Sequence, residues 1–248
     1  MSSNGYIPER ALFIYAHPDD IEFSVAGTAA KWASLGCEVT YVVITDGNAG
    51  SHEDGMTQEK LAAIRRAEQQ AAASTAGARQ CVFLGYDDGM LQPTLALRKE
   101  LVREIRRYQP NVVVCGDPTF YYSETYVNHP DHRAAAVAAL EAVFPAAEMP
   151  LAFPDLAAAG FGPHKTNYVY ISHAHDADTY IDTSEYIDVK IAALRQHKSQ
   201  LGDWDPTERI KSWSANTGKK VGFAYAESFR RITLKPIVTE SEAKETGK

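Results

Sequence analysis

Residues 13–23 read FIYAHPDDIEF. An apolar run reaches one histidine, one proline and two adjacent aspartates, and then an apolar pattern resumes at a different spacing. This handover decides the fold. Leu12–Ala16 reads as a short, fully buried strand, followed by a helix from about Asp20 to Leu35 that stops at Gly36, where glycine suits a C-terminal cap. The same alternation continues downstream. EVTYVVIT (38–45) predicts a second strand. Thr57–Thr75 predicts a helix with Leu61, Ile64, Ala71 and Ala72 on one stripe. A strand (81–84), a helix (95–108) and a strand (112–115) come next, then a loop (117–129) and an alanine-rich helix opening near Pro130, a residue tolerated in a first helical turn. This β-α order predicts a parallel sheet with helices on both faces, a three-layer α/β sandwich.

Beyond residue 145 the pattern loosens. Residues 168–171 and 179–182 read as strands, 184–197 as a helix, and 203–218 as a loop. The expected organisation is one domain over 1–234, with a core at about 11–145 and a C-terminal elaboration at about 146–234. A polar, flexible tail occupies 235–248.

Composition narrows the function classes. The chain has 248 residues, 45% of them hydrophobic, and a net charge of −7, so its length suits an α/β domain and its acidity argues against nucleic acid as a partner. The start, MSSNGYIPER, has no basic stretch followed by a long apolar run, and no apolar segment approaches the ~20 residues of a membrane-spanning helix. Cys37, Cys81 and Cys115 lack CxxC spacing and read as buried free thiols of a reducing cytoplasm.

Each core strand empties into a loop rich in Asp, His or Gly: HPDD (17–20), TDGNAG (45–50), GYDDG (85–89) and GDPTFYYSETYVNHPDH (116–132). In open parallel sheets ligands bind beyond the carboxyl ends of the strands, so all four loops open on one edge. The first has no GxGxxG, which excludes a dinucleotide cradle there. His17 and Asp20, three residues apart across a strand-to-helix turn, can face one point, and His132 can join them. Two imidazoles and a carboxylate are a ligand set for Zn²⁺, and Fe²⁺ also accepts it. Asp19 and Asp20 are neighbours and diverge, which leaves one for proton transfer. On its own, HPDD is equally compatible with a helix N-cap and a satisfied core histidine.

The second motif, NHPDH (128–132), repeats His-Pro-Asp at another strand end. With it the chain resembles the PIG-L/LmbE-like family of metal-dependent N-deacetylases, over roughly residues 11–145. TDG (45–47), RRAE (65–68) and the YDDG loop belong to the resemblance, as do KIAALRQHKSQ (190–200) and AESFRR (226–231) further on. The resemblance implies a Rossmann-like fold with a mostly parallel sheet. It implies that His17, Asp20 and His132 bind the metal, that Asp19 is the general base, and that His129 covers the oxyanion and delivers a proton, oriented by Asp131. It also implies a small-molecule N-acetylglucosamine-type sugar or conjugate as substrate, a homo-oligomer, and a cytoplasmic enzyme without membrane association.

Asp46, Arg65, Arg66, Asp87 and Asp88 are candidate substrate contacts, each weighed against a solvated helix face or an ordinary turn. The chain departs from the family pattern where Ile21 separates the aspartates from Glu22. Tyr126 is offset from the position of a tyrosine found in relatives, and Tyr121 and Tyr122 compete for that role. Trp204 and Trp213 could stack on a sugar. His173 and His175 of SHAHD read as surface or oligomer-contact residues, His52 as a loop residue, and His197 has no derivable role. The same ligands also suit a non-haem Fe(II) oxygenase, or a sugar- or metal-binding module without turnover. A spare base and a spare acid beside the ligands favour hydrolysis over both.

Overall fold

Seven strands lie side by side in the computed structural model, which describes residues 6–236; the tail beyond 236 falls outside them. They are β1 (Arg10–Tyr15), β2 (Glu38–Thr45), β3 (Gln80–Tyr86), β4 (Val112–Cys115), β5 (Tyr168–Ser172), β6 (Thr179–Asp182) and β7 (Ala226–Thr233), in the order β3-β2-β1-β4-β5-β7-β6. The first five in that order pair in parallel, and β7 runs antiparallel between β5 and β6. β1 is flanked by β2 and β4, so the connections turn opposite ways from it. The crevice that opens at such a reversal lies beyond the ends of β1 and β4, where the two His-Pro-Asp motifs stand.

The helices are α1 (Asp20–Ser24), α2 (Ala26–Ser34), α3 (Gln58–Thr75), α4 (Leu95–Tyr108), α5 (Pro130–Glu141), α6 (Pro154–Ala158), α7 (Ile187–Leu194), α8 (Lys198–Leu201) and α9 (Thr207–Lys219). Alternation along the strands feeds both faces of the sheet. Leu12 and Ile14 of β1 join Val113 and Cys115 of β4 beneath Leu97, Leu101 and Ile105 of α4. Phe13 and Tyr15 join Val112 and Val114 on the other face, with Trp32 of α2 and Ala72 and Ala73 of α3. Cys37 and Cys115 are buried free thiols and Cys81 is only partly covered.

The expected and observed elements differ where distant contacts override local pattern. The helix expected over 20–35 is two helices, parted at Val25 (φ −137°, ψ 13°). The second one restarts against Glu227 of β7, whose carboxylate accepts from Gly27 N (3.0 Å) and Thr28 N (2.7 Å). A negative charge there satisfies amides that the first turn leaves unpaired. The helix expected over 184–197 is the shorter α7, and a further turn, α8, follows it, with His197 turned into the core between them. The stretch 203–218, expected as a loop, contains α9. Its buried stripe is Ile210, Ser214 and Gly218, too small and polar to read as an apolar face. On α3 the buried stripe carries Arg65 and Gln69 beside Leu61, Ala72 and Ala73, while the expected Ala71 is exposed.

Candidate active site

The turn after β1 brings three expected ligands together. His17 Nδ1 lies 3.1 Å from His132 Nε2 and 3.5 Å from Asp20 Oδ2, and His132 Nε2 lies 3.1 Å from Asp20 Oδ1. Tetrahedral Zn²⁺ with bonds of about 2.0–2.1 Å spaces its ligand atoms by about 3.3 Å. Each imidazole is tied down by its outer nitrogen. His132 Nδ1 meets Asn128 Oδ1 at 3.0 Å, and His17 Nε2 meets Asp131 Oδ2 at 3.2 Å and Asp88 Oδ1 at 3.1 Å. With the outer nitrogens as donors, the inner ones present lone pairs to a shared point, an arrangement that orients histidine on a metal.

The electrostatics favour positive charge at this point, which a ring proton supplies when no metal is bound and a bound cation would supply in its place. Burial would lower the pKa of His17, but Asp20, Asp131 and Asp88 overcome it and raise it to about 12. Burial would likewise raise Asp20, yet His132 and His17 hold its carboxyl well below the usual range. The donor set and its charge therefore fit a divalent metal. Two groupings with metal-ligand spacing occur among the described residues: His17, His129 and His132, and His17, Asp88, His129 and Asp131.

Asp19 occupies a left-handed conformation, φ 99° and ψ −24°, which is costly for any residue with a Cβ. Two residues of α3 hold it there. Its backbone N–H donates to Gln69 Oε1 (2.9 Å), and Arg65 Nη2 donates to its Oδ2 (3.1 Å). Arg65 also donates to the carbonyls of Pro18 (2.7 Å) and Gly47 (3.0 Å), and a Cβ at Gly47, φ 61°, would collide with its guanidinium. Behind Gln69, Glu22 accepts from Gln69 Nε2 (3.1 Å) and sits 3.2 Å from His197 Nε2, all three side chains fully buried. This gives Glu22 and His197 a place, supporting the Asp19 turn from beneath. Burial lifts the Asp19 pKa to about 6, with Arg65 opposing the rise.

His129 caps α5, its Nδ1 accepting from Asp131 N at 3.2 Å. That bond leaves Nε2 to carry the proton. Burial and the neighbouring His17 keep its pKa below the ordinary histidine value, so the ring is neutral with an Nε2–H donor. Its ring centre lies 4.6 Å from that of His17. The Asp131 carboxylate does not reach it: Oδ2 is 4.0 Å from His129 Nδ1, and the carboxylate instead accepts from Gly89 N (2.7 Å) and Leu91 N (3.1 Å) while facing His17. The expected pairing of Asp131 with His129 thus gives way to one with His17, because α5 directs the Asp131 side chain back under the DDG loop.

The remaining candidates divide. Asp88 joins the carboxylates on His17, whereas Asp87 is exposed and accepts from Asn48 Nδ2 (2.9 Å). Arg66 is exposed and pairs with Asp46 at 3.1 Å, while Arg65 is buried against Asp19 rather than lying on a solvated face. Tyr126, half exposed, stacks on Phe120 with ring centres 6.2 Å apart. Both line a cavity of about 1030 Å³ that also contains Asp20 and His132, and Tyr121 and Tyr122 are absent from its wall. His173 is exposed, as expected, and lines that cavity, its Nε2 2.8 Å from Ser24 Oγ. Asn128 and Gln69 had no sequence signal beyond their neighbours; only the fold brings them to the ligands.

The chain is 32% identical to a diacetylchitobiose deacetylase of Thermococcus kodakarensis, over 90% of this chain and 83% of that protein. Its fold matches an N,N'-diacetylchitobiose deacetylase from Pyrococcus horikoshii, solved with an inhibitor, at a TM-score of 0.85 and 30% identity, covering 93% and 88% of the two chains. It also matches GalB, the 4-carboxy-2-hydroxymuconate hydratase of Pseudomonas putida KT2440, at a TM-score of 0.75 and 25% identity, covering 94% and 98%. The family model described as PIG-L, GlcNAc-PI de-N-acetylase, matches residues 12–143, and the chain belongs to the PIG-L family.

Proposed function

We propose that this protein is a metal-dependent amide hydrolase that removes the acetyl group from an N-acetylglucosamine-type sugar or sugar conjugate. The observation that carries the reading is Asp19. It is a carboxylate held in a strained backbone conformation, shifted toward neutral pH, directly beside a His-Asp-His ligand triangle. Binding alone needs no such base. The N-acetylated sugar comes from the deacetylase relatives.

His17, Asp20 and His132 would hold Zn²⁺ or Fe²⁺, and the cation, when bound, lowers the pKa of a water and polarises the acetamido carbonyl. Asp19 takes the proton of the attacking water at Oδ1, since Arg65 engages Oδ2. His129 donates from Nε2–H to the carbonyl oxygen as negative charge develops there. Asp19, in place of the His129 acid expected from the sequence, then returns its proton to the departing nitrogen, because neutral His129 has one N–H and that faces the oxyanion. The nitrogen leaves as an amine once protonated. Asp131 and Asp88 keep His17 oriented throughout.

The test is acetate release from N-acetylglucosamine and its conjugates by metal-stripped protein with Zn²⁺, or with Fe²⁺ under anaerobic conditions, added back. Metal-restored release is the expected result. The hydratase relative gives a second reading, water addition to an unsaturated acid. Hydration of 4-carboxy-2-hydroxymuconate without acetate release from any amide would replace the first reading with the second.

A further inference from the structure

A cavity reaches two corners of the ligand triangle, Asp20 and His132, and extends well beyond them. Its wall runs from Asp20 and His132 to Arg209, Trp213 and Thr217 of α9, and encloses about 1030 Å³. That is the upper end of the ~300–1,000 Å³ typical of small-molecule sites, and one N-acetylated hexose leaves much of it unfilled. The chemistry of the α9 wall is unlike that of the ligand end. The Trp213 side chain is 51% exposed at the cavity, a large apolar surface left uncovered. The Arg209 guanidinium sits 4.8 Å from the Trp204 ring and 5.8 Å from the Trp213 ring. Phe23, also on the cavity wall, stacks on Trp204 at 6.5 Å with planes 12° apart.

An arginine whose guanidinium lies over two indole rings is partly ordered before any ligand arrives, so less freedom remains to be lost on binding. Its charge is also unanswered. Arg209 is exposed, and among the described residues no carboxylate lies within ion-pair distance of it. In a chain with net charge −7, a cation left without an acid on a cavity wall favours a ligand that brings the anion itself.

We propose that the α9 wall is the subsite for the moiety joined to the N-acetylated sugar, and that it selects a ring carrying an anionic group. Trp213 packs on the ring, and the Arg209 fork donates to the anionic oxygens, a geometry suited to carboxylate. The sugar in this inference rests on the deacetylase reading; the α9 chemistry does not.

The test compares the methyl, phenyl and 4-carboxyphenyl glycosides of N-acetylglucosamine, both anomers, in wild type, Arg209→Gln, Arg209→Lys and Trp213→Ala. In wild type, kcat/KM for the 4-carboxyphenyl glycoside exceeds that for the phenyl glycoside by about three- to tenfold. Arg209→Gln brings this ratio close to one, and Arg209→Lys restores part of it. Trp213→Ala lowers both aryl glycosides relative to the methyl glycoside by about threefold or more. A wild-type ratio of one, or a ratio untouched by Arg209→Gln, would make Arg209 an ordinary surface arginine and overturn the proposal. Binding of the deacetylated phenyl and 4-carboxyphenyl glucosaminides, followed by tryptophan fluorescence, separates the two readings. Carboxylate-selective binding without acetate release from any glycoside keeps the subsite and removes the deacetylase; acetate release without selective binding does the reverse.

Discussion

Asp19 and Asp20 are chemically identical and adjacent, yet they stand in opposite electrostatic settings. Asp20 faces two imidazoles and is held ionised, while Asp19, equally covered, faces a single guanidinium and rises to about 6. Their substitutions therefore separate cleanly from those of the ligands. On the proposed roles, Asp19→Asn should bind metal as wild type does and lose about 10²-fold or more in kcat, since it removes the base and leaves the triangle. His132→Ala is expected to lower the metal stoichiometry measured by elemental analysis, and an unchanged stoichiometry would name the wrong third ligand. Arg65→Met tests how Asp19 is held. It removes two hydrogen bonds to the strained turn and one to the Gly47 carbonyl, so kcat should fall about tenfold or more while KM for a methyl glycoside changes little. A selective rise in KM would return Arg65 to the substrate-contact role its sequence context invites. The triangle and Asp19 were legible because a repeated His-Pro-Asp at two strand ends is a rare pattern. Gln69, Asn128 and the His17 pairing of Asp131 were not. Each depends on which way one side chain leaves a helix or turn, and spacing alone leaves that undetermined.

At the scale of elements, six of the seven strands were read, β7 was noted only as a family-like segment, and the later helices were read poorly, for a physical reason. β2, β4 and β6 are continuous apolar or alternating runs whose bounds follow from local pattern. α9 buries a polar serine and a glycine on the stripe where a periodicity argument looks for leucine. It is secured at its start by Asp205, which accepts from Thr207 N (3.2 Å) and Thr207 Oγ1 (2.7 Å) and forms a two-pronged pair with Arg195. Those partners pull its pKa from the usual carboxylate value to about 2. A carboxyl depressed on folding adds stability that is full above its unfolded pKa, about 4, and is lost as pH falls through the folded value. Asp205→Asn keeps an acceptor and loses the charge. Its denaturant midpoint should lie below wild type at pH 6, and the two should converge as pH drops from about 4 toward 2. A gap independent of pH over that range would place the effect in hydrogen-bond geometry rather than charge. Because Asp205 is exposed, the gap shrinks in high salt.

Across the molecule, the C-terminal elaboration reaches back to hold the first motif in place. β5 and β7 extend the sheet past β4, and β7 carries Glu227 to the start of α2. Lys190 of α7 donates to Glu227 Oε1 (2.6 Å) and to Ser24 O (2.8 Å), so a single buried ammonium ties three segments to the end of the HPDD turn. His197 does the same through Glu22. No helix among the described residues is long and apolar enough to cross a membrane, and this polar clamp serves packing within the fold. Both members of the Lys190–Glu227 pair are almost fully buried, 4% exposed at the side chain. Removing one leaves the other uncompensated in a low-dielectric setting, so Lys190→Met should cost about 3–5 kcal/mol in urea unfolding. Glu227→Gln neutralises the surviving acid, still accepts one α2 amide, and leaves the double variant with no stranded charge. The double variant should therefore be more stable than Lys190→Met alone, a non-additivity that a double-mutant cycle measures directly. If the two single losses simply add, the pair is not coupled. The tie from α7 to the HPDD turn would then rest on the Ser24 carbonyl and the helix packing instead.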